Sequence, residues 1–273
     1  MYTSRTIAFV LGSSHHGAMI VNRNDYCGSL NPNEGYGVGH QILNNSQFDA
    51  PEVNFVLALL QLRRQYFGDG VVGLDCGANI GVHTLEWSRT MQGWGRVVAF
   101  EAQERIFYAL AGNVALNNCF NAEAKWSALG EECGTLMIPE PNYTVPASYG
   151  SLELRENEKN EFIGQKIDYE NSELKSVAMV TLDSLGYQRV DLIKLDVEGM
   201  EISVLTGASE TLKRCKPVLI IEIIKTSEED LLDFLAEHGY FRVFPMGLNF
   251  LALHQDDPII SHLSMENNLL SII

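Results

Sequence analysis

From Val71 onward the chain alternates short, unbroken apolar runs with stretches of helical periodicity. VVGLD is followed by a helix predicted near 80–91, and RVVAFE by a helix carrying Phe107, Leu110, Ala111 and Val114; EAKWSALG comes next. After an interruption come DLIKLD, a helix predicted from about Gly199 to Leu212, PVLIIEI, a helix around DLLDFLAEHG, and two last strands near FRVFP and NFLAL. Unbroken apolar strands alternating with amphipathic helices predict a mostly parallel, doubly wound α/β sheet covered on both faces. Ligands of such a sheet sit at the carboxyl ends of its strands.

Two regions break this pattern. Residues 1–48 are rich in Gly, Asn, Ser and His and predict a partly irregular N-terminal extension that could cover the active site, with AMIVN as a strand. The main domain is expected over 49–273. At its start DAPE supplies an N-cap at Asp49, a proline in the first turn and Glu52 at the capping-box position. Val53, Val56, Leu57 and Leu60 follow on one face of a helix expected at the domain edge. Between about 134 and 176 the alternation stops, and PEPNYTVPASYG with the mixed-charge stretch behind it predicts a solvated insertion, with a substrate lid as the alternative.

Composition narrows the function. The chain has 273 residues, 46% of them apolar, enough for a sizeable core. A formal net charge of −16 argues against nucleic acid, whose phosphates must be neutralised by Lys and Arg. Five cysteines form no CxxC pair, which suits free thiols in a cytoplasmic protein rather than disulfides or zinc. IAFVL is shorter than a signal-peptide core, and no run is long enough to span a bilayer, so no membrane association is expected.

LDCGANIGVHT joins the first strand to its helix through a turn that points backbone N–H groups at a ligand. Aligning Gly77 with the first glycine of G-x-G-x-x-G places Asn79 and Val82 at the other two positions, a poor dinucleotide fingerprint. Asp75 would also repel a pyrophosphate, and no GK[ST] follows. S-adenosylmethionine, with an ammonium, a sulfonium, no phosphate and a free ribose diol, suits the carboxylate better. Glu101, closing RVVAFE, can accept hydrogen bonds from the two ribose hydroxyls, as an acid does in NAD-binding folds.

DCGANIGVHT, FEAQERIFYALAGNVALNN, SALG, VTLDSL and DLIKLDVEGMEISVLTGASETL followed by PVLIIEI resemble the FkbM family of S-adenosylmethionine-dependent methyltransferases over about residues 71–225. FEAQ departs from the FEP followed by proline that is frequent in that family. The resemblance implies a class I methyltransferase (Rossmann-like) sheet with a reversed last strand, and O-methylation of a small-molecule or glycan hydroxyl. It assigns Asp75, Gly77, Asn79 and Gly81 to the first cofactor motif, Glu101 to the ribose, and Ala128 in SALG to the loop bordering adenine.

KLDVEGMEISVL places Lys194 and Asp196 at the end of the fourth strand and Glu198 in the loop beyond. Methyl transfer is an in-line displacement in which the protein aligns the acceptor and removes its proton. Asp196 or Glu198 is the candidate base, with Lys194 steadying the oxyanion or a neighbouring carboxylate. The bland alternatives are first-turn acids favoured by a helix dipole and a structural ion pair. Glu222 is expected to face the cleft; with Asp196 it could instead hold Mg²⁺, which is possible but not favoured. His83 is a further candidate base. His15 and His16 read as surface residues, and Tyr143 and Tyr149 as loop tyrosines packed on the protein or stacked on a sugar.

Three rivals remain. Methylation at nitrogen, including that of an adenine base, is disfavoured by EPNY at Glu140–Tyr143, which lacks the [DN]PP[YF] pattern, and by the acidic charge. A scaffold without turnover is disfavoured by the intact turn and acidic cluster, and an NAD oxidoreductase by the missing glycines.

Overall fold

The computed structural model describes residues 6–28, 35–157, 159–170, 174–266 and 269–273. Its centre is a seven-stranded sheet built from β1 (Val71–Cys76), β2 (Gly95–Glu101), β3 (Ala122–Trp126), β4 (Leu192–Leu195), β5 (Val218–Glu222), β6 (Arg242–Met246) and β7 (Asn249–Leu253). The spatial order is 6-7-5-4-1-2-3. Strands β1 to β5 run parallel to one another, and β7 is reversed between β5 and β6. The chain moves outward from β1 in one direction and returns to β4 to move in the other. The β1/β4 boundary is therefore the topological switch point at which ligands bind.

Among the described residues, α1 (Val38–Asn45) packs on the N-terminal strands, and six helices accompany the central sheet: α2 (Ala50–Phe67), α3 (Val82–Thr90), α4 (Glu104–Leu116), α5 (Glu201–Thr206), α6 (Ser209–Cys215) and α7 (Glu228–Glu237). The period-2 alternation of the strands divides the core between two faces. Val72, Leu74, Ile193, Leu195, Leu219 and Ile221 pack against Val204 and Leu205 of α5, Leu212 of α6 and Leu231 and Leu235 of α7. Val71, Leu192, Val218 and Ile220 pack against Val56, Leu59 and Leu60 of α2 and Trp87 and Met91 of α3. The alternation thus turns the side chains of Asp75, Lys194 and Glu222 toward the α2/α3 side. Among the described residues, no helix is long and apolar enough to cross a membrane.

Four expectations need correction. The helix starting at Asp49 lies on the sheet rather than at the domain edge, because Val56, Leu59 and Leu60 are wholly buried against β1 and β5. The helix expected over Gly199–Leu212 is broken in two at Gly207, whose backbone presses on the Gly130 carbonyl; a Cβ there would lie 2.1 Å from that oxygen. Asp183 restarts it by accepting from the amides of Glu210 (3.0 Å) and Thr211 (2.8 Å).

The insertion is not a solvated excursion. Gly134–Ile138 pairs antiparallel with Lys175–Val180, and Ala147, Tyr149, Leu152 and Ile163 are buried. They pack with Met19 and Val21 of the hairpin Phe9–Ser14/Gly17–Asn22, so two regions that break the sheet pattern form one apolar cluster with Ile80, Val82 and Ile106. His16, finally, is buried rather than on the surface: Nδ1 lies 2.8 Å from Glu86 and Nε2 accepts from the Phe48 amide (3.0 Å). His15 is exposed as expected.

Candidate active site

The turn from Asp75 to Gly81 crosses the carboxyl end of β1. Gly77 has φ +81° and its α-carbon faces the Asp196 carbonyl, so a Cβ would lie 1.7 Å from that oxygen. Gly81 has φ +93° and packs on Leu110 of α4, where a Cβ would lie 2.6 Å from Cδ1. Asn79 adopts a left-handed conformation (φ +51°), which asparagine tolerates better than most residues. Asp75 is buried at the foot of the turn and accepts from Thr84 Oγ1 at 2.5 Å.

Glu101 ends β2 beside this turn. Its two oxygens accept from the amides of Asn79 (3.0 Å) and Gln103 (2.8 Å), which fixes the carboxylate while leaving each oxygen a further lone pair. Burial pushes the carboxyl up to about 7, opposed by the amides of Gln103, Asn79 and Ala102 and reinforced by the charge of Asp196.

A single cavity of about 290 Å³ joins the turn, Glu101, Ala128 and the β4 loop. Its far wall comes from the regions that break the sheet pattern: Tyr36, Gly37, Val38 and Gln41 from the N-terminal extension, and Ser148, Gly150, Ser151, Leu152 and Leu154 from the insertion. The expected cover over the cleft is thus partly present. Ser127, beside Ala128, lends a buried hydroxyl without a hydrogen-bond partner to this cavity.

The acidic half lies across the switch point. Lys194 is buried and donates to Asp196 Oδ2 at 2.8 Å. Burial works against its charge, but Asp196, Glu52 and Asp75 together overcome this and raise its pKa. Glu198, held at φ +54°, pairs with Lys225, whose Nζ is 2.6 Å from Oε2 and also donates to the Ser151 carbonyl at 2.7 Å. Lys225 therefore ties the insertion to the β4 loop. Asp196, Glu198 and Glu222 bring carboxylate oxygens within 4.8 Å of one another. Burial, then the charges of Asp196 and Glu222, push Glu198 well up, with Lys225 opposing. Burial and Asp196 push Glu222 up to about 8, and its Oε2 is buried without a partner. A carboxyl raised as far as that of Glu222 holds a proton near neutral pH, as suits acid–base work.

His83 lines the same cavity, yet both ring nitrogens are covered, and Nε2 lies 3.2 Å from Glu52. Tyr143 and Tyr149 pack on each other at 5.0 Å between ring centroids and bond within the protein, Tyr143 to Gln103 and Tyr149 to the Val145 carbonyl. The structure therefore brings Asp75, Gly77, Asn79, Gly81, Glu101, Ala128, Lys194, Asp196, Glu198 and His83 to one cavity. Sequence reasoning missed Glu52, Ser127 and Lys225. Lys225 carried a signal, a lone cation just beyond the end of an apolar strand; Glu52 was masked by its plausibility as a capping residue.

A doubly wound sheet with one reversed strand, and a glycine turn meeting an acidic loop across its switch point, places this protein among the class I methyltransferases. Residues 75–241 match the family described as the Methyltransferase FkbM domain, and the chain belongs to that family. It is 29% identical over 172 residues to Methyltransferase 1 of Beauveria bassiana (strain ARSEF 2860), covering 58% of this chain and 68% of that protein. Against Methyltransferase sdnD of Sordaria araneosa it is 30% identical over 156 residues, covering 50% and 60%. The crystal structure of Methyltransferase FkbM from Methylobacillus flagellatus KT superposes with a TM-score of 0.45 at 18% identity, covering 79% of this chain and 53% of that one.

Proposed function

We propose that this protein transfers a methyl group from S-adenosylmethionine to a hydroxyl oxygen of a small molecule or glycan. The observation that carries the reading is that the turn, Glu101 and Ala128 share one cavity with the acidic cluster Asp196, Glu198 and Glu222. The residues fit the cofactor: Glu101 keeps acceptor capacity for a ribose diol, and the Ser127 hydroxyl beside Ala128 is buried without a partner. When bound, the sulfonium supplies an electrophilic methyl group.

The chain's own residues do the rest. Asp75 lies toward the amino-acid end, Glu101 holds the ribose, and Ala128 with the unpartnered Ser127 hydroxyl borders the base. Asp196 or Glu198 receives the proton of the acceptor hydroxyl, and Lys194 holds Asp196 in place through the 2.8 Å hydrogen bond. His83 supports this half through Glu52. An acidic cavity in a chain of net charge −16 favours an acceptor without phosphates.

Calorimetry of the purified protein with S-adenosylmethionine and, separately, NAD tests the reading. Micromolar binding of S-adenosylmethionine alone, followed by methylation in a panel of hydroxylated compounds, is expected. No binding of S-adenosylmethionine, or methylation confined to amines, would overturn it.

A further inference from the structure

Three carboxyl groups meet at the acceptor end of the cavity, and two of them have counter-ions. Asp196 Oδ2 takes the ammonium of Lys194 at 2.8 Å, and Glu198 Oε2 that of Lys225 at 2.6 Å. Glu222, which closes β5, lines the same cavity, and its Oε2 is buried with no hydrogen-bond partner among the described residues. The donors around it are taken. Asn249, opposite Glu222 in the β5–β7 register, donates Nδ2 to Glu52 Oε2 at 2.8 Å. Lys225 also holds the Ser151 carbonyl at 2.7 Å and Glu161 at 3.0 Å.

A third anion without a counter-ion, its oxygen within 4.8 Å of oxygens of the other two, is the member of the cluster that takes up a proton. Burial and the charge of Asp196 push its carboxyl in the same direction. A neutral carboxyl then presents one donor and one acceptor to the cavity, and the ligand group that answers both is a hydroxyl. A hydrogen bond between a carboxyl and a hydroxyl spans about 2.7 Å. A hydroxyl held by Glu222 and one held by Asp196 or Glu198 therefore lie side by side, as they do on adjacent carbons. With two of the three carboxylates already neutralised by lysines, the cluster does not ask for a cationic acceptor.

We propose that Glu222 is a specificity-determining residue: its carboxyl group holds the hydroxyl next to the one that is methylated, so that the acceptor is a vicinal diol rather than a lone alcohol. Glu222 keeps its own proton and orients the acceptor, while Asp196 or Glu198 receives the proton of the reacting hydroxyl. The inference rests on the O-methylation reading above and narrows its substrate class.

The probes are cyclohexane-1,2-diol in its cis and trans forms, cyclohexane-1,4-diol, whose hydroxyls are not adjacent, and cyclohexanol. Methyl transfer is measured on the full chain with S-adenosylmethionine, and probe binding on the chain loaded with S-adenosylhomocysteine, by saturation-transfer NMR. One form of the 1,2-diol is expected to exceed the 1,4-diol and cyclohexanol by about 10-fold in rate or affinity. Glu222→Gln, which keeps a donor and an acceptor, is expected to retain that preference within about 3-fold. Glu222→Leu is expected to abolish it while S-adenosylhomocysteine affinity stays within about 2-fold. Equal treatment of the 1,2- and 1,4-diols, no binding of either, or a preference that survives in Glu222→Leu would overturn the proposal. A loss in Glu222→Gln as complete as in Glu222→Leu would overturn it too, because it would show that a charge is needed. If Glu222→Leu does not fold, Glu222→Ala takes its place, and the ranking of the probes by the unmodified chain decides in either case. Failure of the unmodified chain to bind S-adenosylhomocysteine would instead sink the cofactor reading.

Discussion

Gly77 and Asp196 meet backbone to backbone across the switch point, so closely that a Cβ on Gly77 would lie 1.7 Å from the Asp196 carbonyl oxygen. The contact joins the turn proposed to hold the cofactor to the loop proposed to hold the acceptor, and the Asp196 amide reinforces it by donating to the Cys76 carbonyl at 3.0 Å. Gly77→Ala must both strain a φ of +81° and push two backbones apart. A loss of about 3 kcal/mol or more in stability is expected, with S-adenosylmethionine binding abolished. Thermal unfolding and calorimetry check both, and near-normal binding would mean that the loops move independently.

Asp196→Asn keeps the shape of the side chain, and its backbone contacts with Cys76 and Gly77 are untouched. Cofactor affinity is therefore expected to stay within about 3-fold. Turnover, measured with an acceptor from the hydroxyl panel, is expected to drop by about 100-fold or more if Asp196 takes the proton. Turnover close to that of the unmodified protein would remove Asp196 as base and leave Glu198.

Glu101 predicts how binding depends on pH. Its carboxyl is pushed up to about 7, and only the ionised form accepts hydrogen bonds from two hydroxyls with full strength. S-adenosylmethionine affinity is expected to rise between pH 6 and pH 8 and then level off. Glu101→Gln should bind about 10-fold more weakly at pH 8 and show a flat profile. The effect on folding has the opposite sign: a carboxyl raised in the folded state contributes stability that is present below its ordinary 4.5 and is lost as pH rises through about 7. The thermal shift caused by the ligand should therefore be larger at pH 8 than at pH 6.

The centre of the sheet was legible because strands such as VVGLDC and VLIIE are almost wholly apolar runs and the helices between them have their own period, so local pattern and tertiary placement agree. DCGANIGVHT was legible for a different reason: glycines and an asparagine at fixed offsets are what a left-handed turn requires. The insertion was misread because its buried residues, Tyr149, Leu152 and Ile163, are scattered among Pro, Ser and Asn with neither period, and their partners Met19 and Val21 lie more than a hundred residues away. Glu52 was misread because one acidic residue in a first turn satisfies two rules at once, and only the arrival of His83 and Asn249 decides between them.

The acidic cluster invites a divalent cation, but two of its members already hold ammonium groups, Asp196 that of Lys194 and Glu198 that of Lys225. A cation would have to displace both or bind through Glu222 alone, a poor set for Mg²⁺. Turnover is expected to persist in excess EDTA. Loss of activity that Mg²⁺ restores would reassign the cluster to metal binding.

Asp25 links the two regions that complete the cavity. Its buried carboxylate accepts from the Gly39 amide of α1 at 2.7 Å and from the Tyr149 amide of the insertion at 3.2 Å, so one side chain fixes both parts of the wall over the cleft. Burial pushes it up to about 6 against the pull of those amides, which makes it a costly anion kept where a smaller apolar residue would leave two buried donors unpaired. Asp25→Ala is expected to destabilise the protein by about 2–4 kcal/mol, with amide exchange rising first at Gly39 and over 149–152. The central sheet, packed independently of Asp25, should keep its protection. Uniform exchange across β1 and β4 would show instead that the wall and the sheet unfold as one unit, and that the cavity cannot open without global unfolding.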